Sequence, residues 1–323
     1  MPSRRSSAAL AALLALGLGT VAACTEDAPD DAQEVNPYDG REGFADPRSH
    51  TAQAAEQAAD DQQERVFTRL AETPQGVWLT PEETPAGEVG PYVTRVVEAA
   101  EDAGRVPTLV VYGIPDRDCS GGFSAGGLSA DQYGPWVQEI ADAAKPGEHV
   151  AVVVEPDALA SLLECGSTEK RVELIADAVD RLAAAGLTTY VDGGHSNWIE
   201  PSELAPLLEQ VGVEDVRGFA TNVSNFQSDD DEAAYAEELS DLLDGAHYVI
   251  DTGRNGFGAT GEWCNPSGRA FGTAPSGVSD QGSLDAYVWV KPPGESDGEC
   301  NGGPSAGDFW PERALEIAAA SGW

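Results

Sequence analysis

The chain has very few basic residues. Lysine and arginine together number 18, against 56 aspartates and glutamates, and the formal net charge at pH 7 is −38. Nucleic acid is therefore disfavoured as a partner, because phosphate binding needs a basic surface. An acidic polysaccharide would be repelled, a neutral polymer would not, and a cationic polymer would be attracted. Solubility alone also explains such a charge.

Metal-ligand and cofactor patterns are also scarce. The four histidines are scattered, and no two of the five cysteines have CxxC spacing or a histidine nearby, so no metal site is predicted. The acidic run 229–232 is expected to begin a helix rather than to bind calcium. A GxGxxG match at 256–261 leads into a loop containing Pro and Gly instead of a helix, so we expect no dinucleotide and no other cofactor.

The cysteines indicate an oxidising compartment. Beyond Cys24, four remain, which is enough for two disulfides with three possible pairings. Cys119 and Cys165 both follow candidate strand ends in the first half of the chain, whereas Cys264 and Cys300 lie in late loops. This placement favours the pairs 119–165 and 264–300 and leaves the other pairings open.

The N-terminus has the pattern of an export signal. Arg4 and Arg5 precede an apolar run over 8–19, and two alanines precede Cys24 as in the lipobox of bacterial lipoproteins. We interpret 1–23 as a signal peptide, Cys24 as the lipidated residue and 24–35 as an acidic tether on the extracellular face of a bacterial membrane. An ordinary secretory signal with a chance cysteine is the alternative, and the protein would then be secreted.

From residue 36 to 323 the chain alternates between strand and helix patterns, which we interpret as one catalytic domain. Candidate strands lie near Trp78 and at 107–114, 149–156, 187–193, 217–223, 247–251 and 286–291. Helical patterns lie between them at 90–104, 129–144, 168–186, 201–212 and 231–245, and several end in glycine. This alternation predicts an α/β fold with a parallel sheet, and about seven strands indicate a distorted, TIM-barrel-like barrel.

Four aspartates close or follow candidate strands: Asp118, Asp157, Asp192 and Asp297. A carboxylate at the C-terminal end of a parallel strand can face the mouth of a barrel, where such enzymes do their chemistry. Hydrolysis of a glycosidic bond needs one protonated and one ionised carboxyl group. Burial after an apolar strand and the charge of Asp118 should raise the pKa of Asp157, while a cation in the loop that holds Lys291, Glu295 and Asp297 should keep Asp297 ionised.

Tryptophans at strand ends or in adjacent loops could stack on sugar rings. Trp78, Trp198 and Trp263 have such positions, whereas Trp136 and Trp289 are expected in the core.

Seven blocks of sequence, in order, resemble glycoside hydrolase family 6, the β-1,4-glucanases of the endoglucanase and cellobiohydrolase type. They are YGIPDRDC (112–119), VVVEPDALASLL (152–163), YVDGGHSNW (190–198), GFATNVSNF (218–226), VIDTGRNGFG (249–258), EWCNPSGRAFG (262–272) and VWVKPPGESDG (288–298). Gly193 and Gly253 depart from residues common in the family, and neither change removes a catalytic group.

The resemblance implies a distorted barrel of about seven strands and hydrolysis with inversion. It makes Asp157 the general acid, Asp118 the residue that raises the pKa of that acid, and Asp297 the proposed base. It places Tyr112 beneath a distorted sugar ring and Ser124 beside the catalytic water. The positions it matches to substrate binding are Trp78, Asp192, His195, Trp198, Asn222, Trp263, Lys291 and Glu295. The family's two disulfides correspond to the pairs 119–165 and 264–300.

These expectations favour an inverting endo-β-1,4-glucanase that acts on a β-1,4-glucan or on cello-oligosaccharides, as a monomer anchored through lipid. Short stretches after Cys119 and Cys264 favour an open cleft and endo action. A cellobiohydrolase of the same family is one alternative, and a non-catalytic glucan-binding lipoprotein is the other.

Overall fold

A curved sheet forms the centre of the computed structural model, which describes residues 1, 32–118, 122, 124–162, 168–279 and 282–323. Its strands are β1 (Val77–Leu79), β2 (Thr108–Val111), β3 (Ala151–Val154), β4 (Thr188–Asp192), β5 (Gly218–Thr221), β6 (His247–Asp251), β7 (Ser276–Gly277) and β8 (Leu284–Val288). They follow the order β1-β2-β3-β4-β5-β6-β8-β7, and neighbours are parallel except for the pair β7–β8.

Helices cover the outer face of the sheet. They are α1 (His50–Glu56), α2 (Asp61–Ala71), α3 (Val89–Ala103), α4 (Ala130–Ala144), α5 (Thr168–Ala184), α6 (Pro201–Gln210), α7 (Asp229–Leu242) and α8 (Pro311–Ala320). Short 3-10 turns span Val213–Asp215 and Cys300–Gly302. The prediction of a distorted α/β barrel is confirmed.

Successive side chains of each strand point to opposite faces of the sheet and form two hydrophobic cores. Leu109 and Val111 of β2, with Val152 of β3, pack outward against the helices, whereas Val110 and Val153 point inward and fill the barrel. Both faces of these strands are therefore buried, which explains their continuous runs of β-branched residues.

The barrel is not closed by a regular strand pair. In the described part of the chain, β1 pairs with β2 and β8 pairs with β6 and β7. The seam between β1 and β8 is crossed by the Gly76 N–H, which donates to the Trp289 carbonyl at 2.8 Å. The indole of Trp78 also crosses it and donates to the Val290 carbonyl at 2.8 Å.

Local signals explain several helix ends. Helix α3 ends at Gly104, which has the left-handed conformation expected of a C-capping glycine. Helix α7 begins with the acidic run 229–232 as predicted, but its N-cap is Ser228, whose hydroxyl accepts the Asp231 N–H.

The chain enters the barrel at the amino-terminal edge of the sheet. The Gln33 side chain donates to the Leu187 carbonyl and accepts from the Thr189 and Arg217 N–H groups. Asn36 donates to the Asp285 carbonyl at 2.9 Å. Contacts with the sheet therefore begin before residue 36, within the stretch expected to be tether. The signal peptide, Cys24 and the rest of the tether lie outside the described residues.

The same edge holds a buried ion pair. Arg217 and Asp285 join through two hydrogen bonds of 2.7 Å, and the Tyr190 hydroxyl donates to the Asp285 carboxylate at 2.7 Å. This cluster lies at the opposite end of the strands from the predicted catalytic carboxylates.

Candidate active site

The carboxyl ends of the strands open into a cleft of about 730 Å³. It is lined by eight of the residues predicted for the site: Trp78, Tyr112, Ser124, Asp157, Trp263, Lys291, Glu295 and Asp297. Five other predicted residues lie behind or beside this lining: Asp118, Asp192, His195, Trp198 and Asn222.

Asp157 is a carboxyl group suited to carry a proton at neutral pH. It follows β3 in a turn where its backbone is left-handed, with φ of 67°, and its side chain is partly exposed to the cleft. Burial, followed by the negative charges of Asp118 and Asp297, raises the pKa of Asp157 from 3.8 to about 7. Burial and the charge of Asp118 are also the two causes expected from the sequence.

Asp118 belongs to a loop that Arg117 ties together. The Asp118 carboxylate accepts the Ser124 N–H at 3.0 Å. The Arg117 guanidinium donates to the carbonyls of Tyr112 at 2.7 Å and Ser124 at 3.0 Å, and it lies 4.6 Å from the centroid of the Tyr112 ring. Tyr112, Asp118 and Ser124 are thereby held in one unit beside Asp157.

The stretch 122–126 also matches the GxSxG spacing of serine hydrolases. Ser124 lies 13 residues after the end of β2 and six before the start of α4. It is therefore not on the sharp strand-to-helix turn that a nucleophile elbow requires.

Asp192 binds the backbone of the turn that carries Asp157. Its side chain is 1% exposed and accepts the N–H groups of Asp157 at 3.0 Å and Gly194 at 3.1 Å. Burial, followed by the charge of Asp157, raises the pKa of Asp192 well above its ordinary value. In this arrangement Asp192 fixes the backbone of Asp157, and a direct contact with substrate stays a prediction.

The cation beside Asp297 is not the predicted one. Arg254 donates to the Asp297 carboxylate at 2.8 Å, and the Asn265 N–H donates to its other oxygen at 2.9 Å. Lys291 instead pairs with Glu295 at 3.3 Å. The cation that pairs with Asp297 therefore comes from the loop after β6, from which the long Arg254 side chain reaches that carboxylate, and not from the loop of Asp297 itself as expected.

Glu295 and Lys291 form their own buried pair at the cleft wall. Burial raises the pKa of Glu295, while the neighbouring Lys291 and His50 act to lower it. The Lys291 ammonium also lies 5.2 Å from the centroid of the Trp78 ring. The Trp78 ring meets Tyr112 edge-on at 5.2 Å, so aromatic and charged groups alternate along this wall.

Trp263 is 49% exposed and lines the other part of the cleft. Its chain neighbour Cys264 forms a disulfide with Cys300, which confirms the predicted pair. Cys119 and Cys165 lie outside the described residues, so their pairing stays a prediction.

His195 and Trp198 lie side by side, with ring centroids 5.6 Å apart. Burial lowers the pKa of His195 to about 4, so its ring is neutral at physiological pH. Trp198 packs partly against the outer core. Neither lines the cleft, and their contact with substrate stays a prediction.

Asn222 is fully buried. Its side-chain amide donates to the carbonyls of Asp251 at 2.8 Å and Gln227 at 3.2 Å, and its carbonyl accepts the Gln227 N–H at 3.0 Å. These bonds make Asn222 a brace between the loop after β5 and the end of β6. A contact with sugar stays a prediction that this geometry does not favour.

Two buried carboxylates that the sequence analysis missed join neighbouring loops in the same manner as Asp192. Glu155 accepts the Gly113 N–H at 2.9 Å, and Asp251 accepts the N–H groups of Ser224 and Lys291, both at 3.0 Å. Both acids close strand runs, as the four predicted aspartates do, so the same signal could have identified them.

Among the described residues, no group of three or more His, Cys, Asp or Glu side chains could hold a metal ion. The groups that face the cleft include two carboxyl groups, Asp157 with a raised pKa and Asp297 in an ion pair, beside aromatic faces.

Comparisons with known proteins agree with this geometry. A family model described as Glycosyl hydrolases family 6 matches residues 38–321. The chain is 44% identical over 270 residues to Endoglucanase A of Cellulomonas fimi. The matched region covers 83% of this chain but only 59% of that protein. It is 33% identical over 330 residues to Endoglucanase 1 of Streptomyces halstedii, covering 98% of each.

A solved structure is also similar. It is the endoglucanase Cel6 of Mycobacterium tuberculosis in complex with methyl-cellobiosyl-4-deoxy-4-thio-β-D-cellobioside. The TM-score is 0.84 at 40% identity, and the match covers 90% of this chain and 100% of that one.

Proposed function

Because the chain belongs to the glycosyl hydrolases family 6, we propose that it is an inverting endo-β-1,4-glucanase acting on cellulose or a related β-glucan. The observation that carries this proposal is the cleft-facing Asp157, whose pKa is raised to about 7. A protonated carboxyl group at this position can donate a proton to the oxygen of a departing sugar.

The remaining groups fit the steps of inversion. Asp157 protonates the glycosidic oxygen as the bond breaks, and a water attacks the opposite face of the sugar ring. Ser124 lines the cleft next to Asp118, and we assign to it the role of holding that water. Asp297, paired with Arg254, is the second carboxylate and accepts the proton that the attacking water loses, and Tyr112 is assigned to support the sugar ring. Trp78 and Trp263 offer aromatic faces for neighbouring sugars.

Endo action is supported by the short stretches after Cys119 and Cys264, which leave little chain to cover the cleft, and by the relatives named endoglucanases. An internal segment of a glucan can enter an open cleft without threading a chain end. The test follows the viscosity of hydroxyethylcellulose, a neutral soluble polymer, together with the release of reducing sugar. Viscosity should fall early, before much reducing sugar appears.

The control is the Asp157→Ala variant, which should leave viscosity unchanged. A steady release of cellobiose with almost constant viscosity would instead identify a cellobiohydrolase. Binding of cello-oligosaccharides without any hydrolysis would favour a glucan-binding lipoprotein.

We also propose that Cys24 carries lipid and anchors the enzyme outside a bacterial membrane. Among the described residues, no helix is both long and apolar enough to cross a membrane. Gln33 and Asn36 are bonded at the amino-terminal edge of the sheet, whereas the cleft lies at the carboxyl ends of the strands.

The anchor is tested by expressing Cys24→Ser beside Thr25→Ser. The first variant should release active enzyme into the medium, and the second should remain with the membrane. Retention of both would indicate another anchor. Light scattering of the released enzyme tests the expected monomer.

A further inference from the structure

Two turns of the catalytic site share an unusual backbone conformation. After β2, Asp116 and Asp118 have φ of 52° and 53°, and after β3, Glu155 and Asp157 have φ of 51° and 67°. Residues other than glycine rarely adopt this left-handed region. Such residues persist only where the surrounding contacts determine them, so these contacts identify what holds the two catalytic carboxyls in place.

One buried guanidinium links the two turns, the first directly and the second through Ser161. Arg171, on α5, is 5% exposed. Its Nη2 donates to the Asp116 carbonyl at 2.7 Å and lies 3.4 Å from the Pro115 carbonyl, which fixes the turn that carries Asp118. Its Nη1 donates to the Ser161 hydroxyl at 3.3 Å, and the Ser161 N–H donates to the Asp157 carbonyl at 3.0 Å.

The path from one turn to the other is short, and the two side chains that form it, Arg171 and Ser161, are both buried. It runs from the Asp116 carbonyl through the Arg171 fork to Ser161 and then to the Asp157 carbonyl. A planar guanidinium with donors in fixed directions suits this task, because it sets the separation of two backbone segments as well as linking them. The buried Glu155 carboxylate and Asp116 supply the negative charge that faces Arg171.

We propose that Arg171 is a positioning residue that sets the separation of the Asp118 turn and the Asp157 turn. The proposal rests on the proposed function, in which Asp157 is the general acid. The groups facing Asp157 are Asp118 from the loop after β2, Asp192 from β4, Asp297 from the loop after β8, and the Tyr112 phenol. If the two turns move apart, Asp157 gains water and loses the nearby charge of Asp118, and both changes favour its ionised form.

The test compares Arg171→Lys with Arg217→Lys. Both arginines are almost equally buried, at 5% and 6% exposure, but Arg217 binds Asp285 at the opposite end of the barrel. Both variants should lower Tm. Only Arg171→Lys should lower kcat on cellohexaose, by roughly 10-fold to 100-fold for a small misplacement, with KM changed less than about twofold.

The pH profile separates positioning from simple stability. The alkaline limb of kcat should move to lower pH in Arg171→Lys and stay in place in Arg217→Lys. Hydrolysis of 2,4-dinitrophenyl β-cellobioside, whose leaving group needs little protonation, should be affected much less. If Arg171→Lys does not fold, Ser161→Ala removes the middle of the path and should produce a smaller shift in the same direction.

An unchanged alkaline limb in folded Arg171→Lys or Ser161→Ala, or an equal shift in Arg217→Lys, would overturn the inference. Absence of hydrolysis by the unmodified enzyme would instead overturn the proposed function, so the two failures are distinguishable.

Discussion

Replacing Asp118 with asparagine should shift the pH range over which the enzyme works. Asparagine keeps the shape of the side chain and an oxygen that can accept the Ser124 N–H, but it removes the negative charge. That charge is the second cause, after burial, of the raised pKa of Asp157. Because Asp157 must be protonated to act, activity falls as the pH rises through its pKa, and a lower pKa moves this loss to lower pH.

The size of the shift depends on how much of the raised pKa comes from Asp118. A neighbouring charge moves a pKa by about 1–3 units, and burial continues to act in the variant, so we expect a shift of roughly one unit. At pH 7 the protonated fraction of Asp157 would fall from about one half to about one tenth, a loss of about fivefold in kcat. At pH 5 about nine tenths or more remains protonated in both enzymes, and the pH-dependent difference disappears.

The assay measures kcat on cellohexaose from pH 4 to pH 9 for the unmodified enzyme, Asp118→Asn and Asp116→Asn. Asp116 is the matched control, because it is an exposed aspartate with a left-handed backbone in the same loop. Its replacement should leave the alkaline limb in place. If both variants shift the limb equally, or neither does, the charge of Asp118 does not control the acid.

Two further substitutions test other parts of the site. Asp157→Asn should lower activity on cello-oligosaccharides by about 10²–10⁴-fold and spare substrates with a very acidic leaving group; equal loss on both would contradict its role as acid. Cys300→Ser opens the disulfide to Cys264, which spans 36 residues, and should lower the free energy of unfolding by about 3–4 kcal/mol. Chemical denaturation measures this, and a change below about 1 kcal/mol would show that the loop is held by its other contacts.

Most strands were predictable because their own residues show a strand pattern that does not depend on contacts elsewhere in the fold. The runs over β2 and β3 are β-branched and buried on both faces, so the pattern is continuous. Strand β7 has two residues, Ser276 and Gly277, and no pattern of its own. Only its pairing with β8 makes it a strand, and that pairing is a tertiary contact.

Three helices were missed although part of their signal is present. In α2, Val66, Phe67 and Leu70 form one buried face after the N-cap Asp60. In α8, Pro311 occupies the first turn, and the buried residues follow at helical spacing. Helix α1 has seven residues and one buried side chain, Thr51, so its sequence carries little periodicity.

The sequence predicted which carboxylates lie at the carboxyl ends of the strands, but not which of them point into the cleft. Asp157 and Asp297 both reach the cleft, as their places after strands predicted. Asp192 also closes a strand, yet its carboxylate turns under the Asp157 backbone. A strand end does not specify which side of the neighbouring turn the side chain meets. Arg254 pairs with a carboxylate 43 residues later, and only the folded barrel brings the two together.

The stereochemistry of the first product tests the central claim most directly. Anomeric protons can be followed by NMR during the first minutes of cellohexaose hydrolysis, before mutarotation mixes the anomers. Attack by water on the face opposite Asp157 predicts that the new reducing ends appear as the α-anomer. New ends that appear as the β-anomer would require a covalent intermediate and a carboxyl pair about 5 Å apart, and would contradict the roles of Asp157 as general acid and Asp297 as the second carboxylate of an inverting enzyme.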